Sequence, residues 1–318
     1  MGTTTAGKSL GSYSKVQLGP TMNKLDRGSP TLRQRIDGWI SPEEFIAALG
    51  RAKLHLGNTK LFGSSHKIDL SNDRDTADLY ATMVLYMPPS DSSGRWNFCV
   101  WATPGCRAVC LGIGSGRMNQ GQERLADREF DWNLSVVAQA QLKRAELFME
   151  DRRAFLAQMV YEVHLHVERA KRFKNIKHNR KWAKPAVRPN GATDLPWEKI
   201  FPELFTMFGE VTFYDYTKAP RSVRPTLPTN YHITFSLGET VKNQTNAAEW
   251  MKAGVNVAVV FGTSKDNLPT THKGLPVLNG DLHDERFKDA PGHYVGLSAK
   301  GAAKHDKTGF VVRDFAKV

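Results

Sequence analysis

The residues most suited to chemistry in this chain are three cysteines that lie close together. Cys99, Cys106 and Cys110 are the only cysteines among the 318 residues, and they fall within one segment of twelve. Disulfide frameworks spread pairs of cysteines across a chain, so an odd and local triplet indicates a soft metal site instead. We therefore predict that the three thiolates hold one metal centre.

The number of ligands distinguishes the centres that this triplet could form. A [4Fe–4S] cube offers four irons, so three cysteines would leave its fourth iron open. A closed structural zinc site needs a fourth ligand from elsewhere, and no histidine lies near the cysteines in the sequence. Buried cysteines that bind nothing are the third interpretation. The clustering favours a [4Fe–4S] cluster, with zinc and inert thiols as the alternatives.

A second group of residues suited to binding is the basic segment 169–188. It contains nine lysines and arginines and no acidic residue, and Phe173 and Trp182 are interleaved with the charges. Basic side chains neutralise phosphates, and aromatic rings stack on unpaired bases, so we expect this segment to contact nucleic acid. The residues expected to make this contact are Lys174, Lys177, Arg180 and Lys181. A solvated helix end followed by a loop is the alternative.

The charge of the whole chain also favours an anionic partner. Its formal net charge is +12, which suits nucleic acid or nucleotides, although a basic surface can serve solubility alone. No apolar run approaches the ~20 residues of a membrane span, and the N-terminus lacks the apolar centre of a secretory signal. We expect a soluble protein of the cytoplasm without a membrane partner.

These residues must be positioned by strands and helices that alternate along the chain. From residue 183 onward, short apolar strands alternate with helical segments, which predicts a parallel sheet with crossover helices. The predicted strands are 78–87, 186–188, 211–216, 232–237, 257–261, 276–278 and 294–297. Two helices are predicted to begin after the capping residues Ser41 and Asp151. Further predicted helices are 134–148, 197–208 and 246–253.

The predicted fold class is α/β, with a complete or partial (β/α) barrel and a basic N-terminal extension. Residues 1–40 are predicted to form a flexible basic arm, since they hold six lysines and arginines against two aspartates. Residues 41–318 are predicted to form a single barrel-like domain with the cysteine loop at 99–110. In such barrels the functional sites lie at the carboxyl ends of the strands.

Several motifs with distinctive spacing follow one another along the chain. The first is the C-x6-C-x3-C spacing, with Pro104 and Gly105 before its second cysteine. The others are Arg188–Trp197, Phe213–Lys218, Gly280–Phe287 and Val295–Gly301. In these ordered motifs the chain resembles the phage gene-product-88-like proteins. The resemblance covers roughly residues 95–305 and implies a phage-encoded protein that resides in the host cytoplasm.

The layout is also similar to that of radical S-adenosylmethionine (SAM) enzymes, in which a cysteine loop after the first barrel strand holds the cluster. Their usual spacing is C-x3-C-x2-C, and this chain departs from it at both intervals. The resemblance implies that SAM chelates the open iron and that an electron donor reduces the cluster. The polar residues expected to hold the rest of SAM are Arg188, Asn190, Asp194, Asp215 and Ser236.

Together these expectations describe a radical-SAM-like iron–sulfur enzyme that acts on a nucleotide, a nucleic acid or another anionic substrate. The alternative is a noncatalytic, nucleic-acid-binding phage protein in which the cysteines hold a structural metal. A metal and sulfide assay separates the two. About four irons with four sulfides indicate the cluster, whereas one zinc indicates the structural site.

Overall fold

The structure is a computed structural model that describes residues 30–64, 79–114, 136–172 and 183–315. A nine-stranded sheet forms the centre of the described protein. Its strands are β1 (Phe62–Gly63), β2 (Tyr80–Leu85), β3 (Lys184–Arg188), β4 (Thr212–Thr217), β5 (Tyr231–Ser236), β6 (Val257–Phe261), β7 (Thr271–His272), β8 (Leu275–Asn279) and β9 (Tyr294–Ser298).

Most neighbouring strands of this sheet are parallel. Their order in space is β1-β2-β3-β4-β5-β6-β9-β8-β7, and every pair from β2 to β8 along that order is parallel. Strands β2 to β6 lie side by side in chain order, so each crossover carries the chain to the next parallel strand. The predicted α/β class with a mainly parallel sheet is therefore confirmed.

The sheet is open in the described ranges, so it is not a complete barrel there. Strands β1 and β7 form its two edges, and each pairs antiparallel with a single neighbour. A barrel closes only when its two edges pair with each other. Here both edge strands are two residues long and antiparallel to their neighbours. The partial barrel and the radical-SAM-like fold stay predictions.

The described helices lie between the strands and before the sheet. They are α1 (Pro30–Ile36), α2 (Pro42–Leu56), α3 (Pro104–Ala108), α4 (Leu111–Gly114), α5 (Val136–Glu150), α6 (Arg152–Arg172), α7 (Trp197–Ile200), α8 (Glu203–Met207) and α9 (Val241–Lys252), with 3-10 turns at Arg286–Lys288 and Gly301–His305. None of the helices in the described ranges has both the length and the apolarity that crossing a membrane requires.

Two helices begin where the sequence predicts. The Ser41 hydroxyl accepts a hydrogen bond from the Glu44 N–H at 3.1 Å, which caps α2. The Asp151 carboxylate accepts one from the Ala154 N–H at 3.0 Å, which caps α6. Each side chain satisfies a backbone donor that has no partner inside the helix, so both capping predictions are confirmed.

Two other helices differ from their predicted bounds. The predicted helix 197–208 is divided into α7 and α8, and Pro202 lies at the break, where it cannot supply a backbone N–H. The predicted helix 246–253 begins earlier, at Val241. Its cap is Thr240, whose hydroxyl accepts from the Asn243 N–H at 3.2 Å, rather than Asn246.

Both faces of the sheet are covered by apolar side chains. On one face, Phe155 of α6 belongs to the same buried core as Val187 and Phe213 of the sheet. On the other face, Tyr214 packs against Phe287, whose ring centroid lies 5.2 Å away. A parallel sheet is typically buried on both sides in this way, which leaves the ends of its strands as the place for a site.

The last part of the predicted N-terminal arm is packed onto the domain. Leu32 and Ile36 of α1 and the following Ile40 are buried and belong to the main core. The arm was predicted to extend to residue 40 as a flexible segment, but these three side chains bury apolar area against the domain. Residues 1–29 of the predicted arm lie outside the described residues.

Candidate metal centre

The three cysteines line one cavity at the carboxyl edge of the parallel sheet. Its volume is about 130 Å³. Cys99, Cys106 and Cys110 come from the segment after β2, Asp194 from the loop after β3, and Ser236 from the end of β5. The carboxyl ends of parallel strands meet at one edge. The fold therefore brings together residues that are far apart in the chain.

Cys99 is held between two backbone groups. The Ser90 N–H donates to the Cys99 Sγ at 3.1 Å, and the thiol donates to the carbonyl oxygen of Ala192 at 3.6 Å. Burial raises the pKa of the Cys99 thiol to about 12, against the effect of the Ser90 N–H. The thiol is therefore protonated at neutral pH without a metal, and metal binding must release its proton.

Cys106 is positioned by the short helix α3. The Thr103 hydroxyl caps this helix by accepting from the Cys106 N–H at 3.3 Å. Glu239, in the loop after β5, accepts from the Thr103 hydroxyl at 2.6 Å and from the Gly105 N–H at 2.8 Å. These bonds tie the first turn of α3 to the end of a central strand, so the position of Cys106 depends on the sheet.

The close approach at Gly105 leads to a first prediction. A Cβ at this position would lie 2.8 Å from both Glu239 Oε2 and Phe310 Cβ, and would also overlap the Thr308 hydroxyl. Gly105→Ala should displace α3 and with it Cys106. We expect this variant to lose most of the iron that the wild-type protein takes up, measured after anaerobic reconstitution.

The matched control for this prediction is Gly209→Ala. A Cβ added at Gly209 meets no atom within 4 Å, so this variant should take up iron as the wild type does. Circular dichroism of both variants shows whether they are folded. A folded Gly105→Ala variant with wild-type iron content would contradict the assignment of α3 to the metal centre.

Asn190 and Asp215, which we predicted to hold SAM, lie in a buried network instead of lining the cavity. The Asp215 carboxylate accepts from the Asn190 N–H at 2.8 Å, the Asn190 side-chain amide at 2.9 Å and the Tyr231 hydroxyl at 2.6 Å. The Asn190 side-chain oxygen accepts from Thr193 and Trp197. These bonds use the polar atoms that a ligand would need, and they fix the loop that carries Asp194.

Arg188 is also absent from the lining of the cavity. Its guanidinium packs on the ring of Tyr216, 4.9 Å from the ring centroid. Asp284, from the loop before β9, raises the pKa of Arg188. Arg188 thus lies on the face of the sheet that Phe287 covers, since it shares that face with Ala186. Of the five residues predicted to hold SAM, Asp194 and Ser236 line the cavity with the cysteines.

Both carboxylate oxygens of Asp194 accept hydrogen bonds from other groups of the protein. Its Oδ1 accepts from the Thr217 hydroxyl and its Oδ2 from the Lys218 N–H, both at 2.8 Å. Among the described residues, the lining of the cavity includes no histidine and no second carboxylate. Over the described ranges, no group of three or more His, Cys, Asp or Glu side chains is placed to hold a single metal ion.

Some contributors to the site were missed by the sequence analysis. Ser90 and Arg107 line the cavity, and Thr308 and Phe310 pack against α3. Arg107 stands between two of the cysteines, so its place in the loop could have indicated a role. Thr308 and Phe310 are about 200 residues from the cysteines in sequence, and no local pattern links them.

Helix α4, directly after Cys110, packs closely against the site. A Cβ at Gly112 of α4 would lie 3.0 Å from both the Pro89 and the Ala192 side chains. Pro89 and Ala192 line the cavity, so Gly112 allows α4 to approach it.

The predicted nucleic-acid contacts Lys174, Lys177, Arg180 and Lys181 lie outside the described residues, and that expectation stays a prediction.

Comparison with known proteins identifies the family of this chain. The family model for gene product 88 matches residues 52–314, a range that includes the three cysteines and the nine strands of the described sheet. Neither a curated protein nor a solved structure matches the chain. The family predicted from the sequence motifs is confirmed, and the chain belongs to the gene product 88 family.

Proposed function

We propose that this protein is an iron–sulfur enzyme in which Cys99, Cys106 and Cys110 hold one [4Fe–4S] cluster and SAM binds the open iron. The observation that carries the proposal is that all three thiols line one cavity at the carboxyl edge of a parallel sheet. Small-molecule chemistry in α/β proteins is typically located at this edge.

The ligand geometry that each centre requires distinguishes a cluster from a single zinc ion. Zinc requires its ligands to converge on one point, at about 2.3 Å for sulfur. In the described part of the chain, no three suitable side chains converge in this way. Each cysteine of a [4Fe–4S] cube binds a different iron, so sulfurs around one cavity need not meet at a point.

The lining of the cavity supports an open fourth iron. Asp194 is the only carboxylate among the described residues of the lining, and its two oxygens accept hydrogen bonds from Thr217 and Lys218. Replacing these bonds with an iron ligand would leave buried donors without partners, which is costly. A small molecule bound in the cavity is therefore a better ligand for the fourth iron than Asp194.

The described residues can orient such a ligand. Ser236 Oγ accepts from Lys218 Nζ at 2.9 Å, which leaves its hydroxyl hydrogen to be donated into the cavity. Cys99, Cys106 and Cys110 would hold the cluster, which would supply the electron for reductive cleavage of SAM and so for hydrogen abstraction from the substrate. A separate electron donor restores the reduced state.

An anionic substrate, such as a nucleotide or nucleic acid, fits the charge of the protein. The chain carries a net charge of +12, and Arg107 lines the cavity with its side chain 40% exposed. Opposite charge near a cleft raises the local concentration of a charged substrate. The same charge would also serve the alternative function, a noncatalytic nucleic-acid-binding protein with a structural metal.

The test combines metal analysis with spectroscopy on anaerobically purified protein. We expect about four irons and four sulfides per chain. Addition of SAM to the reduced protein should shift its paramagnetic spectrum, and 5′-deoxyadenosine should then form. One zinc per chain would favour the noncatalytic alternative. A fully assembled cluster with an unperturbed spectrum and no cleavage would exclude the radical mechanism.

A further inference from the structure

Lys218 is a buried lysine beside the cysteines, and the proposed function assigns no role to its charge. It follows β4 directly, lines the cysteine cavity and is 6% exposed. Its Nζ donates to the Ser236 carbonyl oxygen at 3.0 Å, to Ser236 Oγ at 2.9 Å and to the Leu237 carbonyl oxygen at 3.0 Å. These three acceptors match the three N–H bonds of an ammonium group.

The neighbouring carboxylates are bonded to other groups. Asp194 accepts from the Thr217 hydroxyl and from the backbone N–H of Lys218. Glu239 accepts from Thr103 and Gly105. The three acceptors of the Lys218 ammonium named above are all neutral oxygens. Asp194 and Glu239 lie near enough to oppose the lowering of the Lys218 pKa by burial. None of the three acceptors of the ammonium is charged, so the ammonium can also stabilise an anion in the cavity.

The cysteines are placed to supply that negative charge. Cys106 lines the same cavity as Lys218, so an anionic cluster held by Cys106 would lie beside the ammonium. The Phe310 ring lies 4.9 Å from the Lys218 Nζ. This ring covers part of the ammonium, and low exposure to water strengthens its interaction with nearby charge.

We infer that Lys218 is the counter-charge of the proposed cluster and stabilises its reduced state. This inference rests on the proposed function, because the cluster supplies the anion. All three N–H bonds of Lys218 point to protein oxygens, so it contributes charge and leaves contact with SAM or substrate to other residues. Each reduction adds one negative charge to the cluster. Loss of the ammonium should therefore make the cluster harder to reduce.

The test compares the midpoint potentials of cluster-loaded wild type, Lys218→Met and Lys218→Gln. Both variants remove the charge, and glutamine can still donate to Ser236 if the methionine variant is unstable. We expect both to retain iron and to lose at least about tenfold in the equilibrium constant for reduction, which is a shift of about 59 mV to lower potential. Lys252→Met, at an exposed position in α9, should leave the potential unchanged.

The outcomes separate this inference from the proposed function. A wild-type protein that assembles no iron–sulfur cluster overturns the proposed function, and the role of Lys218 falls with it. A loaded wild type, together with a loaded and folded neutral variant of unchanged potential, overturns the role of Lys218 alone. Thermal unfolding of each variant establishes that it is folded.

Discussion

Cys106→Ala should abolish assembly of the iron–sulfur cluster and leave a folded protein without the visible absorption of a cluster. With only Cys99 and Cys110 left, two irons of the cube would have no protein ligand, and the chain has no other cysteine. Iron, sulfide and visible absorption after anaerobic reconstitution measure the effect. Equivalent losses are expected for Cys99→Ala and Cys110→Ala, because the three thiols line one cavity.

The control for the cysteine variants lies in the same loop. Val100 follows Cys99 directly and is 59% exposed, so Val100→Ala removes little buried area and should assemble the cluster as the wild type does. Cysteine variants that are folded and keep wild-type iron and sulfide would show that the thiols are inert. Loss of iron in only one of the three variants would contradict a shared centre.

Glu198→Ala should strongly destabilise the fold. Glu198 Oε2 and Arg224 Nη2 lie 2.7 Å apart, and their side chains are 5% and 0% exposed. Arg224 also packs on the ring of Tyr231, the residue that donates to Asp215. Removing the carboxylate leaves a guanidinium buried without its anionic partner. We expect the free energy of unfolding to fall by about 3–5 kcal/mol, measured by urea denaturation.

The matched control applies the same substitution to an exposed ion pair. Glu44 Oε1 lies 2.9 Å from Arg153 Nε, and both side chains are 45% exposed. Solvent and salt screen such a pair, so Glu44→Ala should change the free energy of unfolding by less than about 1 kcal/mol. Similar losses for the two variants would mean that burial of the Glu198–Arg224 pair adds nothing to its contribution.

The sequence by itself determined the fold class and the grouping of the cysteines. The alternation of strands and helices after residue 183 predicted a parallel sheet, because crossovers between parallel strands need intervening elements. Ser41 and Asp151 predicted the starts of α2 and α6, since a cap bonds to a residue three positions away. Three cysteines within twelve residues are too close in sequence to be distributed over distant parts of a fold.

The tertiary structure alone decided which of the predicted polar residues face the cavity. Asn190, Asp194 and Asp215 all lie at or near the end of a strand. Only Asp194 lines the cavity, whereas the Asp215 carboxylate bonds to Asn190 and Tyr231. Sequence spacing indicates that a residue lies near the end of a strand. It does not indicate which donor from another strand will form a hydrogen bond with the side chain of that residue.

The tertiary structure also decided which residues hold α3, the helix that carries Cys106, in place. Glu239 bonds to Gly105 across 134 residues of sequence, and Thr308 lies against the same glycine from near the end of the described chain. Such contacts leave no periodic or local pattern in the sequence. They form because the strands bring their carboxyl ends to one edge, and packing there selects partners by shape and hydrogen bonding and not by distance along the chain.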